Sequence, residues 1–117
     1  METCKPPVTI PAWKCYATGK NPGKLGIYWF ARPNFANRSL DLNLPGSIPG
    51  SLWEFLPRSL IVNTPGTFPP RNIDGVLISG FPCPDGAPSS TPPWILPRLQ
   101  GYRPNTLVPP RHPEFPA

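Results

Sequence analysis

Residues 59–79 read SLIVNTPGTFPPRNIDGVLIS, two short apolar runs held apart by a connector rich in proline and glycine. "SLIVN" (59–63) and "GVLIS" (75–79) consist largely of aliphatic and β-branched residues bounded by turn formers, the composition of a strand. Asp74-Gly75 reads as a turn at the entry to the second run. The intervening "TPGTFPPRNI" is long enough for a loose hairpin, so the two strands are expected to close on each other as neighbours.

Outward from this stretch, proline sets the terms. The chain has 22 prolines in 117 residues, and each one fixes φ, removes a backbone donor and biases its predecessor away from the α region. The longest proline-free runs, Asn34–Leu44 and Arg71–Phe81, have eleven residues each, and helices that short are marginal without tertiary support. Proline and glycine together make up 32 residues, a share typical of low-complexity chains. Leucine, isoleucine, valine and phenylalanine nevertheless supply 28, more than a solvated, disordered chain carries. The expected fold class is therefore a mostly irregular, extended, proline-rich chain with little regular structure.

Upstream, "AWKCYATGKNPGKLGIYWFAR" (12–32) predicts a short β-hairpin. Trp13, Cys15 and Ala17 alternate with Lys14, Tyr16 and Thr18, and Asn21-Pro22-Gly23 has the chemistry of a type II turn. "NFANRSLDLNLPG" predicts a short helix over about 34–43, stopped by Pro45-Gly46. "SLWEFLP" (51–57) contains a capping box between Ser51 and Glu54, and presents Leu52, Trp53, Phe55 and Leu56 as an apolar knob. Residues 1–79 then form a loosely structured, hairpin-containing part. Residues 80–117 form an extended ribbon in which Trp94, Ile95, Leu96, Tyr102 and Phe115 stand between prolines, with no regular element expected.

The function classes narrow accordingly. Asp41, Glu54, Asp74 and Asp85 all fall where helix surfaces, caps and turns account for them, and His112 has neither an orienting group nor a nucleophile beside it. No glycine-rich phosphate loop occurs. Cys4, Cys15 and Cys83 lack the close ligand pair of a zinc site, so no metal and no cofactor is expected, and the thiols read as unpaired and mostly buried. The N-terminus has no apolar signal core, and no run approaches the length of a membrane span, so the default expectation is an intracellular protein.

The net charge of +5 is spread, with every lysine among the first 24 residues and every arginine after them. Lys14, Tyr16, Lys20, Lys24, Tyr28 and Arg32 interleave cations with aromatic rings, a pattern suited to RNA, where bases stack and phosphates pair. The reading that gathers these features is a non-catalytic structural or accessory subunit, wrapping and stabilising a larger protein or ribonucleoprotein assembly. Its candidate protein-binding anchors are Trp53, Phe55, Trp94, Ile95, Leu96, Tyr102 and Phe115; nothing in the sequence indicates self-association. One alternative is the product of an open reading frame without a shaped function, given its conflicting local preferences. The other is a disordered adaptor whose P-x-x-P steps at Pro110–Pro116 engage SH3- or WW-type modules.

Overall fold

A computed structural model describes residues 2–84, 86–99 and 101–102. The elements in chain order are helix α1 (Thr9–Thr18), helix α2 (Pro22–Leu25), strands β1 (Ala31–Asn34) and β2 (Ser39–Leu42), and 3₁₀ turns at Pro45–Ser47 and Leu52–Glu54. Strands β3 (Ser59–Thr64), β4 (Gly75–Ser79) and β5 (Ser90–Thr91) follow, and then helix α3 (Ile95–Arg98). Two small sheets and several short helices make a defined α/β fold. This corrects the expectation of a mostly extended chain: short elements suffice here because several prolines help build the core instead of only breaking structure. Pro11, Pro45 and Pro82 are among the most deeply buried side chains, beside Ile10, Leu77 and Cys83.

The expected hairpin at 12–32 is instead a pair of helices. Ile10, Lys14 and Ala17 are buried in α1, a spacing of four and three that selects the helical period over alternation. Pro11 lies in the first turn, where its missing amide costs nothing. Gly19 closes the helix in the left-handed region at φ 68°, its amide donating to the Cys15 carbonyl at 2.8 Å. The residues read as a turn become a helix start: Asn21 is the N-cap, its side-chain oxygen accepting from the Lys24 amide at 2.9 Å, and Pro22 occupies the first helical position. Asn and Pro favour those two positions for the same reasons they favour turns, and local chemistry alone does not separate the outcomes.

The helix expected at 34–43 is a hairpin. β1 and β2 pair antiparallel, with Ala31 opposite Leu42 and Arg32 opposite Asp41. Asn34 binds the turn instead of capping a helix: its side-chain oxygen accepts from the Asn37 amide at 3.2 Å, and its amide nitrogen donates to Asp41 at 2.9 Å. Arg38 takes φ 51° at the bend.

The second sheet has the order β3-β4-β5. β3 and β4 do not form a hairpin. They run parallel, Ser59 opposite Gly75 and Val62 opposite Ile78, with a bulge at Asn63 before Thr64 meets Ser79. β5 lies antiparallel on the other side of β4, so the segment from Gly80 onward contributes a strand where none was expected. As the central strand, β4 buries Leu77, Ile78 and Ser79 in succession, the continuous run that a strand covered on both faces shows.

A ten-residue connector joins parallel strands only if it is well anchored, since such crossovers usually need a dozen residues or more. Here Thr67 supplies the anchor. Its hydroxyl donates to the Thr64 carbonyl at 2.7 Å and accepts from the Gly80 amide at 2.9 Å, and its carbonyl accepts from the Ser79 hydroxyl at 3.1 Å. The Gly46 amide donates to the Phe68 carbonyl at 3.0 Å. A side chain at Gly46 would run into the Phe68–Pro69 backbone, so glycine is required where the 3₁₀ turn meets the connector. No helix among the described residues is long and apolar enough to cross a membrane.

Candidate functional site

An apolar groove of about 550 Å³ lies beside β3. Trp13 and Tyr16 of α1 form one wall, Leu52, Trp53, Leu56 and Pro57 another, and Arg58, Ser59, Leu60, Ile61 and Thr64 the third. Trp13 and Tyr16 meet edge to face, with ring centroids 5.8 Å apart. Leu60 is 69 % exposed and Phe55, just outside the lining, 76 %. Clustered exposed apolar side chains of this size mark interaction surfaces more often than inert ones.

A buried polar network behind the groove holds its walls together. Lys14 is only 2 % exposed, and its ammonium donates to the Ile48 carbonyl at 2.7 Å and to the Ser51 hydroxyl at 2.9 Å. The Ser51–Glu54 capping box is present, with the Ser51 amide donating to Glu54 Oε2 at 2.6 Å. Glu54 Oε1 accepts from Arg71 Nε at 2.5 Å, and Arg71 also donates to the Ser47 carbonyl at 3.1 Å. α1, the Leu52–Glu54 turn and the β3–β4 connector are thus tied at one point.

The charges in this network are shifted. Burial pulls the Lys14 ammonium from its ordinary 10.5 down to about 8; Glu54 opposes that, while Arg71 and Lys20 add to it. Burial alone would raise the Glu54 carboxyl, but the hydrogen bonds from Arg71 and from the Ser51 amide outweigh it and hold the group below its usual range. Cys15 moves the other way from Lys14. Burial, then the neighbouring Cys4 thiol, push it from 9.0 up to about 11.

These shifts fix the direction of pH dependence. The folded pKa of Lys14 lies below the unfolded one, so the unfolded chain binds more protons from about pH 8 to 10.5, and this residue raises stability with pH across that window. Cys15 has its folded pKa above the unfolded one, so its contribution falls between pH 9 and 11. Urea unfolding at a series of pH values is expected to show stability rising by about 1 kcal/mol from pH 7.5 to 9 and then levelling off. Lys14→Met should remove the rise and expose a decline above pH 9 from Cys15; a variant with the same rise would place the titration elsewhere.

The sequence-derived site residues divide by position. Trp53 lines the groove, and Phe55, exposed and next in sequence to the lining residue Leu56, is not itself part of the lining. Trp94 is exposed, with the Arg98 guanidinium 5.0 Å from its ring centre, and Ile95 and Leu96 are half-buried in α3. Tyr102 is half-buried, and burial raises its phenol pKa. Phe115 and the Pro110–Pro116 motif lie outside the described residues. Of the candidate RNA-facing set, Tyr16, Lys20, Lys24, Tyr28 and Arg32 are exposed, whereas Lys14 is buried, with its ammonium bonded to the Ile48 carbonyl and the Ser51 hydroxyl, so it offers no surface charge. The Tyr28 hydroxyl hangs over Gly23, and the Lys20 ammonium lies beside Gly50.

The sequence marks Leu60 and Ile61 only as strand residues, and Arg71 as no more than the start of a proline-free run. For the first two the signal was the aliphatic run "SLIVN"; for Arg71 none existed, because its partner Glu54 is 17 residues away. Among the described residues no three His, Cys, Asp or Glu side chains gather as metal ligands would. No protein-family model, curated protein or solved structure matches the chain.

Proposed function

We propose that this chain is a non-catalytic binding module, a structural or accessory subunit that docks into a larger protein assembly through the groove beside β3. The carrying observation is the groove itself: two tryptophans and several leucines, presented on a base that a satisfied polar network holds in place. Exposed apolar surface costs solubility, and a rigid base reduces the ordering that binding must offset. That rigidity also favours this reading over an unshaped chain, in which buried polar groups would be left unmatched. Anchoring here comes from a folded face, not from a wrapped ribbon. RNA contact through Lys20, Lys24, Tyr28 and Arg32 is a second reading, supported by their exposure.

The test is sedimentation of the tagged protein from native lysate, with mass spectrometry of whatever migrates at fixed stoichiometry with it. Phe55→Ala and Leu60→Ser change exposed side chains and should leave folding intact. Each is expected to lower incorporation by roughly tenfold or more, as the loss of an interface anchor does. Unchanged incorporation of both variants, or a wild-type protein that stays at the top of the gradient, would count against docking at this face.

A further inference from the structure

Resting on the docking reading, we infer that the groove takes an extended, acidic segment of a partner protein, which adds to the sheet as a new strand along β3. Three observations carry this. First, β3 is an outer strand of its sheet, and among the described residues its backbone from Leu60 to Asn63 has no hydrogen-bond partner beyond β4. Such an edge is a template for strand addition.

Second, the groove reaches β3, four of whose residues, Ser59, Leu60, Ile61 and Thr64, line it. Consecutive residues of a strand point to opposite faces, yet Leu60 and Ile61 both line the same groove. An incoming strand laid along this edge would place alternate side chains against Trp13 and Trp53 while its backbone pairs with β3.

Third, charge selects the occupant. Arg58 is the one cation in the lining, no carboxylate lines it, and Arg58 stands exposed where β3 begins. No charged side chain interrupts Ser59–Thr64, so the edge lacks the lysines that proteins use to block strand pairing. With a net charge of +5 and Arg71–Glu54 the sole ion pair among the described residues, the surrounding field draws acidic chains and repels a second copy.

The experiment is selection of a random twelve-residue display library against the full chain, followed by titration of the consensus as a synthetic peptide. Enrichment of alternating apolar residues flanked by Asp or Glu is expected, with binding that weakens as salt rises from 50 to 300 mM. Two N-methylated versions of the peptide, blocked at odd or at even amides, then report the backbone. One should lose about tenfold or more and the other should bind like the parent, because only alternate amides face β3. Arg58→Glu should weaken the acidic consensus several-fold.

Equal binding of both N-methylated peptides would overturn strand addition, as would enrichment of basic or proline-rich sequences or a library with no enrichment. So would a dimer in sedimentation equilibrium that Val62→Lys abolishes, which would assign the edge to a second copy. If any of these occurs while Phe55→Ala and Leu60→Ser still abolish incorporation into the assembly, docking stands and strand addition alone falls. If incorporation is also unchanged, both fall.

Discussion

Gly75→Ala is expected to lower the free energy of unfolding by about 4 kcal/mol, the sum of backbone strain and overpacking at one site. Gly75 holds φ at 144° and sits directly opposite Ser59 in the parallel pair. A Cβ there would overlap the Ser59 carbonyl and amide, and these are backbone atoms fixed by the Ser59 amide's 2.8 Å bond to the Asp74 carbonyl. The side chain therefore cannot be accommodated by a rotamer change; β3 has to move away from β4. Gly19→Ala is the milder comparison. Its φ of 68° lies in the left-handed region, which alanine enters at modest cost, and nothing lies within 4 Å of the added methyl, so it should cost only about 1 kcal/mol. Urea denaturation of both variants reads the difference, and near-equal losses would mean that the close β3–β4 approach does not govern stability.

That same glycine shows where sequence reading stops. Asp74-Gly75 has turn chemistry, and a turn there is compatible both with a hairpin and with the return of a parallel crossover. The deciding contacts are made by Thr67, which bonds Thr64, Ser79 and Gly80, and a threonine in a loop carries no mark of such a role. In the 12–32 segment two periodicities compete: Trp13, Cys15 and Ala17 satisfy alternation, while Ile10, Lys14 and Ala17 satisfy the helix. The burial of a lysine decides for the second, and a charged residue on the apolar face is what a pattern search counts as a mismatch. At 34–43 the alternation of Leu40, Asp41 and Leu42 fits a strand, and the antiparallel pairing with β1 realises it. Pro33 fits the result, since a two-stranded ribbon is all edge and tolerates it. In the site, the Ser51–Glu54 capping box and the apolar knob around Trp53 were legible because they are local. The groove was not, for its walls come from α1, the 52–58 turn and β3, and only the tertiary fold brings them side by side.

The second large effect lies where a local signal meets a tertiary one. Glu54→Ala is expected to cost about 3 kcal/mol, combining the lost cap with a buried cation left uncompensated. The Arg71 pair contributes little of this, because Arg71 is 39 % exposed and such pairs are screened. The larger loss falls inward. The Ser51 amide loses its 2.6 Å acceptor, and Lys14 loses the carboxylate that offsets part of its burial. If that account is right, the two residues are coupled, and a double-mutant cycle measures the coupling. With Lys14→Met already in place no buried ammonium needs the carboxylate, so Glu54→Ala should then cost roughly half as much, the part due to the cap and the Ser51 amide. The pH profile gives an independent readout. Without Glu54 the Lys14 ammonium is harder to keep charged, its folded pKa falls further below the unfolded one, and the alkaline rise in stability should begin at lower pH than in the wild type. An equal cost in both backgrounds together with an unmoved profile would reduce Glu54 to a helix cap and leave the base of the groove held by α1 packing alone.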